Sequence, residues 1–186
     1  MNKKIVTTAI ISIMAISFFA SCNARRQTVQ DPTYDVGVVI NGVRWATRNV
    51  STLGTFARNP ESAGGLFSGL RVQNACPHGW RLPTREEFES LRYAGVERTS
   101  KNGVIGHTFG TAPNQVFLPA TGYRNWEDLL TPGGVYWSST PWRSSRSNLS
   151  GWYVLVYDGG FGGANSIVTG VGFDPNSSFS VRCVAE

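Results

Sequence analysis

The chain reads as an α+β domain of short antiparallel strands, one well-marked helix and long irregular loops. Three observations carry that reading. Asn41-Gly42 stands between two strand-like runs and is the favoured two-residue hairpin turn. Thr84, followed three residues later by Glu87, forms a capping box at the head of a run with one apolar face. The remaining apolar runs are short and are broken by Gly, Ser, Asn and Pro, the residues of turns.

The chain opens with Lys3 and Lys4, then an apolar stretch over residues 5–20 that ends in Phe19-Ala20-Ser21-Cys22. Charge, length and small residues before the cut describe a secretory signal over residues 1–21. A membrane-spanning helix would want about 20 apolar residues with polar anchors on both sides. The small-small-Cys ending resembles the lipobox of bacterial lipoproteins. That resemblance implies cleavage before Cys22, acylation of its sulfur and a firm hold on a membrane; the other reading is an ordinary cleavage site beside an incidental cysteine. Asn23 after Cys22 fits outer-membrane sorting by analogy with other bacteria, with the periplasmic face and the cell surface both open. Residues 22–34 are polar, lack apolar periodicity and contain Pro32, so they read as a lipid-anchored tether. Residues 35–186 are enough for one domain with its own core.

Within that domain Val36 to Ile40 and Val43-Arg44-Trp45 form the opening hairpin around Asn41-Gly42. Residues 49–69 carry Gly, Pro, Asn and Ser and read as irregular. The helix starts at the Thr84 cap and places Phe88, Leu91 and Ala94 on one face. Glu86, Glu87 and Glu89 crowd its first turns, where the helix dipole favours acids, and Gly95 is the stop. Further strands are predicted at Val116 to Leu118, Val135 to Ser139, Trp152 to Tyr157, Ser166 to Val171 and Phe179 to Val184.

The formal net charge is +5, and loss of residues 1–21 removes Lys3 and Lys4 and no acid, which leaves +3. Arg25 and Arg26 of the tether account for two of those charges, so the folded part is close to neutral. No block of Lys and Arg interleaved with aromatics appears, and no nucleic-acid partner is expected. There are three cysteines. With Cys22 given to lipid, Cys76 and Cys183 remain as an even pair in an oxidising compartment, either bonded to each other or as two buried thiols.

Five segments together carry a resemblance. They are Val38-Val39-Ile40-Asn41-Gly42-Val43-Arg44-Trp45-Ala46-Thr47-Arg48-Asn49-Val50, Cys76-Pro77-His78-Gly79-Trp80-Arg81-Leu82-Pro83-Thr84, Phe117-Leu118-Pro119-Ala120-Thr121-Gly122-Tyr123-Arg124, Tyr136-Trp137-Ser138-Ser139-Thr140 and Ser180-Val181-Arg182-Cys183-Val184. The set resembles the Fibrobacter succinogenes major paralogous domain, a family common in exported proteins and lipoproteins of the Bacteroidetes, over residues 36–186. The resemblance implies a C-type-lectin-like fold, in which a cysteine at the start of the first helix pairs with one in the last strand; Cys76 and Cys183 hold those places. Members often carry a longer aromatic-rich insert after the Gly64-Gly65-Leu66-Phe67 region, where this chain has only residues 68–75. The fold by itself does not imply sugar binding.

Most catalytic and metal chemistry lacks its residues. Calcium-dependent sugar binding needs a set of oxygen ligands, and Asp174-Pro175-Asn176 is only a near match that a turn explains. His78 and His107 stand alone, with no His or Cys at ligand spacing, so no metal or other cofactor is expected. Ser138 and Ser139 lack a Gly-x-Ser-x-Gly elbow, and Asp158-Gly159-Gly160-Phe161-Gly162-Gly163 lacks the Lys of a phosphate loop. The Arg81-Leu82-Pro83-Thr84 and Arg182-Cys183-Val184 segments are also similar to the formylglycine-generating enzyme, whose oxidative chemistry would need a reactive cysteine pair.

The expected function is therefore a non-catalytic, lipid-anchored envelope module for binding or adhesion, with a glycan or a protein as ligand. An oxidase of the formylglycine-generating type and a structural or pilus-associated surface subunit are the alternatives. The expected site lies on residues 142–151 and 158–165, polar Ser-, Gly- and Asn-rich tracts with rigid aromatics set among them. Trp142 and Arg143 lead that site, and Trp126 with Tyr123 forms a second candidate; Trp137 and Trp152 are assigned to the core.

Overall fold

Asn41 and Gly42 both adopt positive φ, 49° and 81°, which is the type I′ turn that matches the twist of paired strands. They join β1 (Val38–Ile40) to β2 (Val43–Thr52), with Ile40 opposite Val43 and Val38 opposite Trp45. The computed structural model describes residues 31–125, 128–130, 133–143, 150–157, 167–173 and 175–186. After β2 come β3 (Thr55–Phe56), β4 (Phe67–Ser68), a single 3-10 turn at Val72–Asn74, β5 (Trp80–Arg81) and the helix α1 (Arg85–Arg92). A meander follows: β6 (Val96–Lys101), β7 (Val104–Thr111) and β8 (Asn114–Pro119). Next are β9 (Tyr123–Asn125), β10 (Asp128–Leu130), β11 (Gly134–Arg143), β12 (Ser150–Tyr157) and β13 (Ile167–Phe173). The chain closes with β14 (Ser178–Phe179) and β15 (Arg182–Ala185).

All strand pairings between these elements are antiparallel, in four sheets ordered β1-β2-β15-β5 with β3 on β2, β10-β9-β14-β4, β11-β12-β13 and β6-β7-β8. Together with α1 this is an α+β fold. The strand predicted at Val116 to Leu118 is the middle of β8, whereas β6, β7 and most of β2 beyond Trp45 fall where the sequence suggested no strand. The meander carries its own signal, since Asn102-Gly103 repeats the positive-φ pair, at 50° and 81°, between Lys101 and Val104. The last predicted strand is split into β14 and β15, because Ser180 leaves the small sheet to meet β11: Trp137 N–H donates to Ser180 O and Ser180 N–H to Val135 O, both at 3.1 Å.

The strands β2, β15 and β11 form a wall with a core on each face. Trp45, Val184 and Tyr136 turn to one side, where they meet Ile40, Phe88, Leu91, Phe109, Val116 and Leu118. Their neighbours Ala46, Cys183 and Trp137 turn to the other, among Val50, Phe56, Phe67, Val72, Leu82, Phe179 and Val181. The two-residue period of a strand makes this alternation automatic, and it explains why these segments are apolar at successive positions. Each fully buried Phe or Leu is worth about 1.5–3 kcal/mol.

Polar groups inside the wall are fully engaged. Arg48 donates to Asp35 Oδ2 and Ala57 O, both at 3.1 Å, and to Tyr34 O, while Asp35 also accepts from Gly37 N–H, Thr47 N–H and the Thr47 hydroxyl. Pro32 O accepts from Phe56 N–H. Residues 31–34, expected in the tether, are thus bonded to the domain. Arg182, fully buried, reaches Asn49 Oδ1, Ala46 O and Phe117 O at 2.9–3.0 Å and ties β15 to β2 and β8.

The capping box is complete: Thr84 Oγ1 accepts from Glu87 N–H and Glu87 Oε2 accepts from Thr84 N–H. Arg81 grips the same carboxylate with both guanidinium ends, at 2.6 and 2.9 Å. The helix ends at Arg92, three residues before Gly95. Cys76 and Cys183 are bonded across 107 residues and hold the segment before α1 to the last strand.

Candidate functional site

The expected site divides under the structure. Trp142 does not stand in a loop. It is the ninth residue of β11, paired with Gly151 of β12, and it is only half-buried rather than freely exposed. The indole lies against Gly172 of β13, so that a Cβ there would overlap the ring. The bare Gly172 backbone therefore seats Trp142, and composition alone suggested the opposite. Arg143 is exposed at the strand end, opposite Ser150. Tyr123 begins β9. Trp126, residues 144–149, residues 158–166, Asp174 and everything up to residue 30, Cys22 included, lie outside the described residues. Pro175 and Asn176 form a turn, His78 is exposed, and His107 is buried within β7. Among the described residues no group of three or more His, Cys, Asp or Glu is placed to hold a metal ion, and no helix is long and apolar enough to cross a membrane.

A groove opens elsewhere, mainly in the stretch read as irregular. It has a volume of about 390 Å³ and is lined by Ser51, Thr52 and Leu53 on one wall, Gly65 to Ser68 on the other, and Arg71 with Ser178 at the end. That volume lies at the low end of the roughly 300–1,000 Å³ of small-ligand sites. The first wall is the end of β2 and the turn into β3. It is held to the clasp because Gly54 N–H donates to Ala75 O, next to Cys76, at 2.9 Å. The second wall is β4 and the residues before it. Gly65 N–H donates to Val50 O, and a Cβ on Gly64 or Gly65 would strike the Val50 or Ser51 carbonyl. Only a Gly-Gly pair lets the two walls close to this distance.

Beneath the groove the small sheet is anchored in the core. Phe67 and Phe179 face each other across β4 and β14, and Trp137 packs on Phe179 with ring centroids 4.5 Å apart. Trp137 Nε1–H donates to Phe67 O at 2.6 Å. Residues directly opposite on paired strands share a face. With both phenylalanines inward, Ser68 and Ser178, also opposite each other, face out, and Arg124 of β9 stands opposite Ser178 on its far side. Arg71 reaches the same place by a turn, since its N–H donates to Ser68 O at 2.9 Å. Leu53, substantially exposed, lines the groove as well.

The polar lining is not uniform. The Ser51 and Thr52 hydroxyls are bonded to Thr55 at 3.1 and 2.7 Å, so they stiffen the turn. Among the described residues, Ser68, Ser178 and the two guanidiniums of Arg71 and Arg124 make no hydrogen bond or ion pair with side chains, and no acid lines the groove. The arrangement offers hydroxyls and cationic forks at the edge of a partly apolar cleft, a set able to recognise a polar ligand. Sequence reading missed it because its parts come from four separate segments. The one local signal was Gly64-Gly65 before an apolar pair, which marks a close backbone approach. The chain matches no protein family, no curated protein and no solved structure.

Proposed function

We propose that this protein is a non-catalytic binding module of the cell envelope, held by lipid on Cys22, and that its ligand enters the groove between residues 51–53 and 65–68. The carrying observation is a cleft with unengaged polar groups mounted on a frame that the Cys76–Cys183 bond and two cores hold still. Such preorganisation lowers the ordering cost of binding. The C-type-lectin-like assignment and membership of the Fibrobacter succinogenes major paralogous family are part of this reading. They are supported by the five sequence segments and by a cysteine ahead of α1 bonded to the last strand. A thiol-pair oxidase is disfavoured because two of the three cysteines are bonded to each other, which leaves Cys22 alone.

Two experiments test the reading. Cys22→Ala should release the exported protein from the membrane fraction; a soluble, unacylated wild type would overturn the anchoring. Ser68→Trp places an indole in the groove from an outward-facing position and should abolish hits on a glycan and peptide array without lowering the melting temperature. Array binding that survives Ser68→Trp would put the site elsewhere, with the 142–151 region the next to test.

A further inference from the structure

The groove is only part of a longer polar stripe. Arg124, Ser178 and Ser68 are successive partners across β9, β14 and β4, and Arg71 completes the row at the groove end. Strands in a sheet lie about 4.8 Å apart, so the Arg124 and Ser68 backbones stand about 10 Å apart. The stripe thus has a cation toward each end and two free hydroxyls between them.

We infer that this stripe recognises an acidic polysaccharide whose sugars bear carboxylates, one carboxylate on the Arg71 fork and a later one on Arg124. The inference rests on the groove being the binding site. An arginine fork matches a carboxylate with two parallel hydrogen bonds, and such bonds are about twice as strong as neutral ones. A serine hydroxyl both donates and accepts, which matches the hydroxyls that lie between the acids of a polyuronate. Leu53 and Leu66 supply an apolar wall for a ring face. An acidic peptide fits less well. A peptide bound by adding a strand to the sheet edge would find little to pair with, because the edge strand here, β4, is two residues long. Two cations set apart also select a ligand with repeated acids over one with a single charge.

The test is calorimetric titration of the full chain in detergent. The ligands are polygalacturonate, its carboxyl-reduced neutral counterpart, dextran sulfate and polyaspartate. Polygalacturonate should bind and its reduced form should not. Arg71→Ala and Arg124→Ala should each weaken binding about tenfold or more, the loss expected for a hydrogen bond to a charged group. Arg71→Lys, which keeps the charge and loses the fork, should fall between. Both arginines are exposed, so the variants should melt with the wild type. The inference is overturned if polygalacturonate fails to bind, if Arg71→Ala binds it normally, or if dextran sulfate or polyaspartate binds as tightly with the same dependence on both arginines. Binding of a neutral glycan that Ser68→Trp removes and Arg71→Ala spares would overturn the acid and leave the groove. Polygalacturonate binding unaffected by Ser68→Trp would overturn both.

Discussion

The wall of β2, β15 and β11 and the small sheet β10-β9-β14-β4 are built by different means. In the wall, strands of four to ten residues have a core on each face, a disulfide crosses to one of them, and two buried arginines knit the strands with 2.9–3.1 Å bonds. In the small sheet no strand exceeds three residues, and the packed side chains among the described residues are Phe67 and Phe179, on its inward face. Its outward face carries Ser68, Ser178 and Arg124, which serve no structural bond in the described residues. A surface can be left chemically free only when something else fixes it. The inward phenylalanines do so here, borrowing rigidity from the wall through Trp137.

That contrast can be broken in order of expected cost. Replacing Cys76 and Cys183 together by Ser should cost the most, about 4–5 kcal/mol for a loop of roughly a hundred residues in the chain-entropy treatment; denaturant unfolding of oxidised wild type against the double variant measures it. A loss below about 1 kcal/mol would mean that the two cores hold the wall unaided. Arg48→Ala should cost about 3–5 kcal/mol, because it leaves Asp35 charged and buried without its partner. The same unfolding curves check it. Protease cleavage near Tyr34 should also accelerate, since Arg48 holds the Tyr34 carbonyl.

Gly172→Ala should cost about 1–3 kcal/mol by overpacking against Trp142. Release of the indole should shift tryptophan emission to the red and increase quenching by acrylamide. An unchanged stability would show Trp142 free of its seat on Gly172 and would return it to the list of ligand-contacting candidates. The smallest effect is at Glu87. Burial raises its pKa, but the bonds from Arg81 and from Thr84 N–H outweigh burial and hold its carboxyl below the ordinary glutamate range. A group depressed in the folded state stabilises fully above its unfolded pKa, about 4.3, and that contribution is lost as the pH falls through the folded value. Thermal melts from pH 6 downward should therefore show wild type losing more stability than Glu87→Gln once below about pH 4.3. With Arg81 42 % exposed, the difference should stay under about 1 kcal/mol.

Legibility in the sequence followed locality. The Thr84–Glu87 capping box, the Asn41-Gly42 hairpin and the burial of Trp137 depend on near neighbours or on one strong apolar run, and they were readable. The Cys76–Cys183 bond was readable because few cysteines leave few pairings. Within the meander β8 was readable from Val116-Phe117-Leu118, but the β6-β7 hairpin was missed although Asn102-Gly103 announced it, because its strands carry Glu97, Arg98, Lys101 and Thr108 and do not look apolar. Trp142 was misplaced because its strand partner Gly151 and the glycine that seats its ring, Gly172, are 9 and 30 residues away in sequence. The groove was invisible for the same reason. Ser51, Gly65, Arg71 and Ser178 meet only after β14 has paired with β4 and the Gly64-Gly65 segment has closed on β2.

The position of β15 has a consequence for when this protein becomes folded. It lies between β2 and β5 and contributes Cys183 and Val184 to opposite cores. A chain that has emerged from a ribosome or a translocation pore only as far as Ser178 lacks the centre of its main sheet, one half of its disulfide and Arg182. Its apolar wall then has no partner strand, and sheets closed by such distant segments form slowly. Synthesis order thus acts as a timer. The main sheet cannot close, nor the Cys76–Cys183 bond form, until β15 is present.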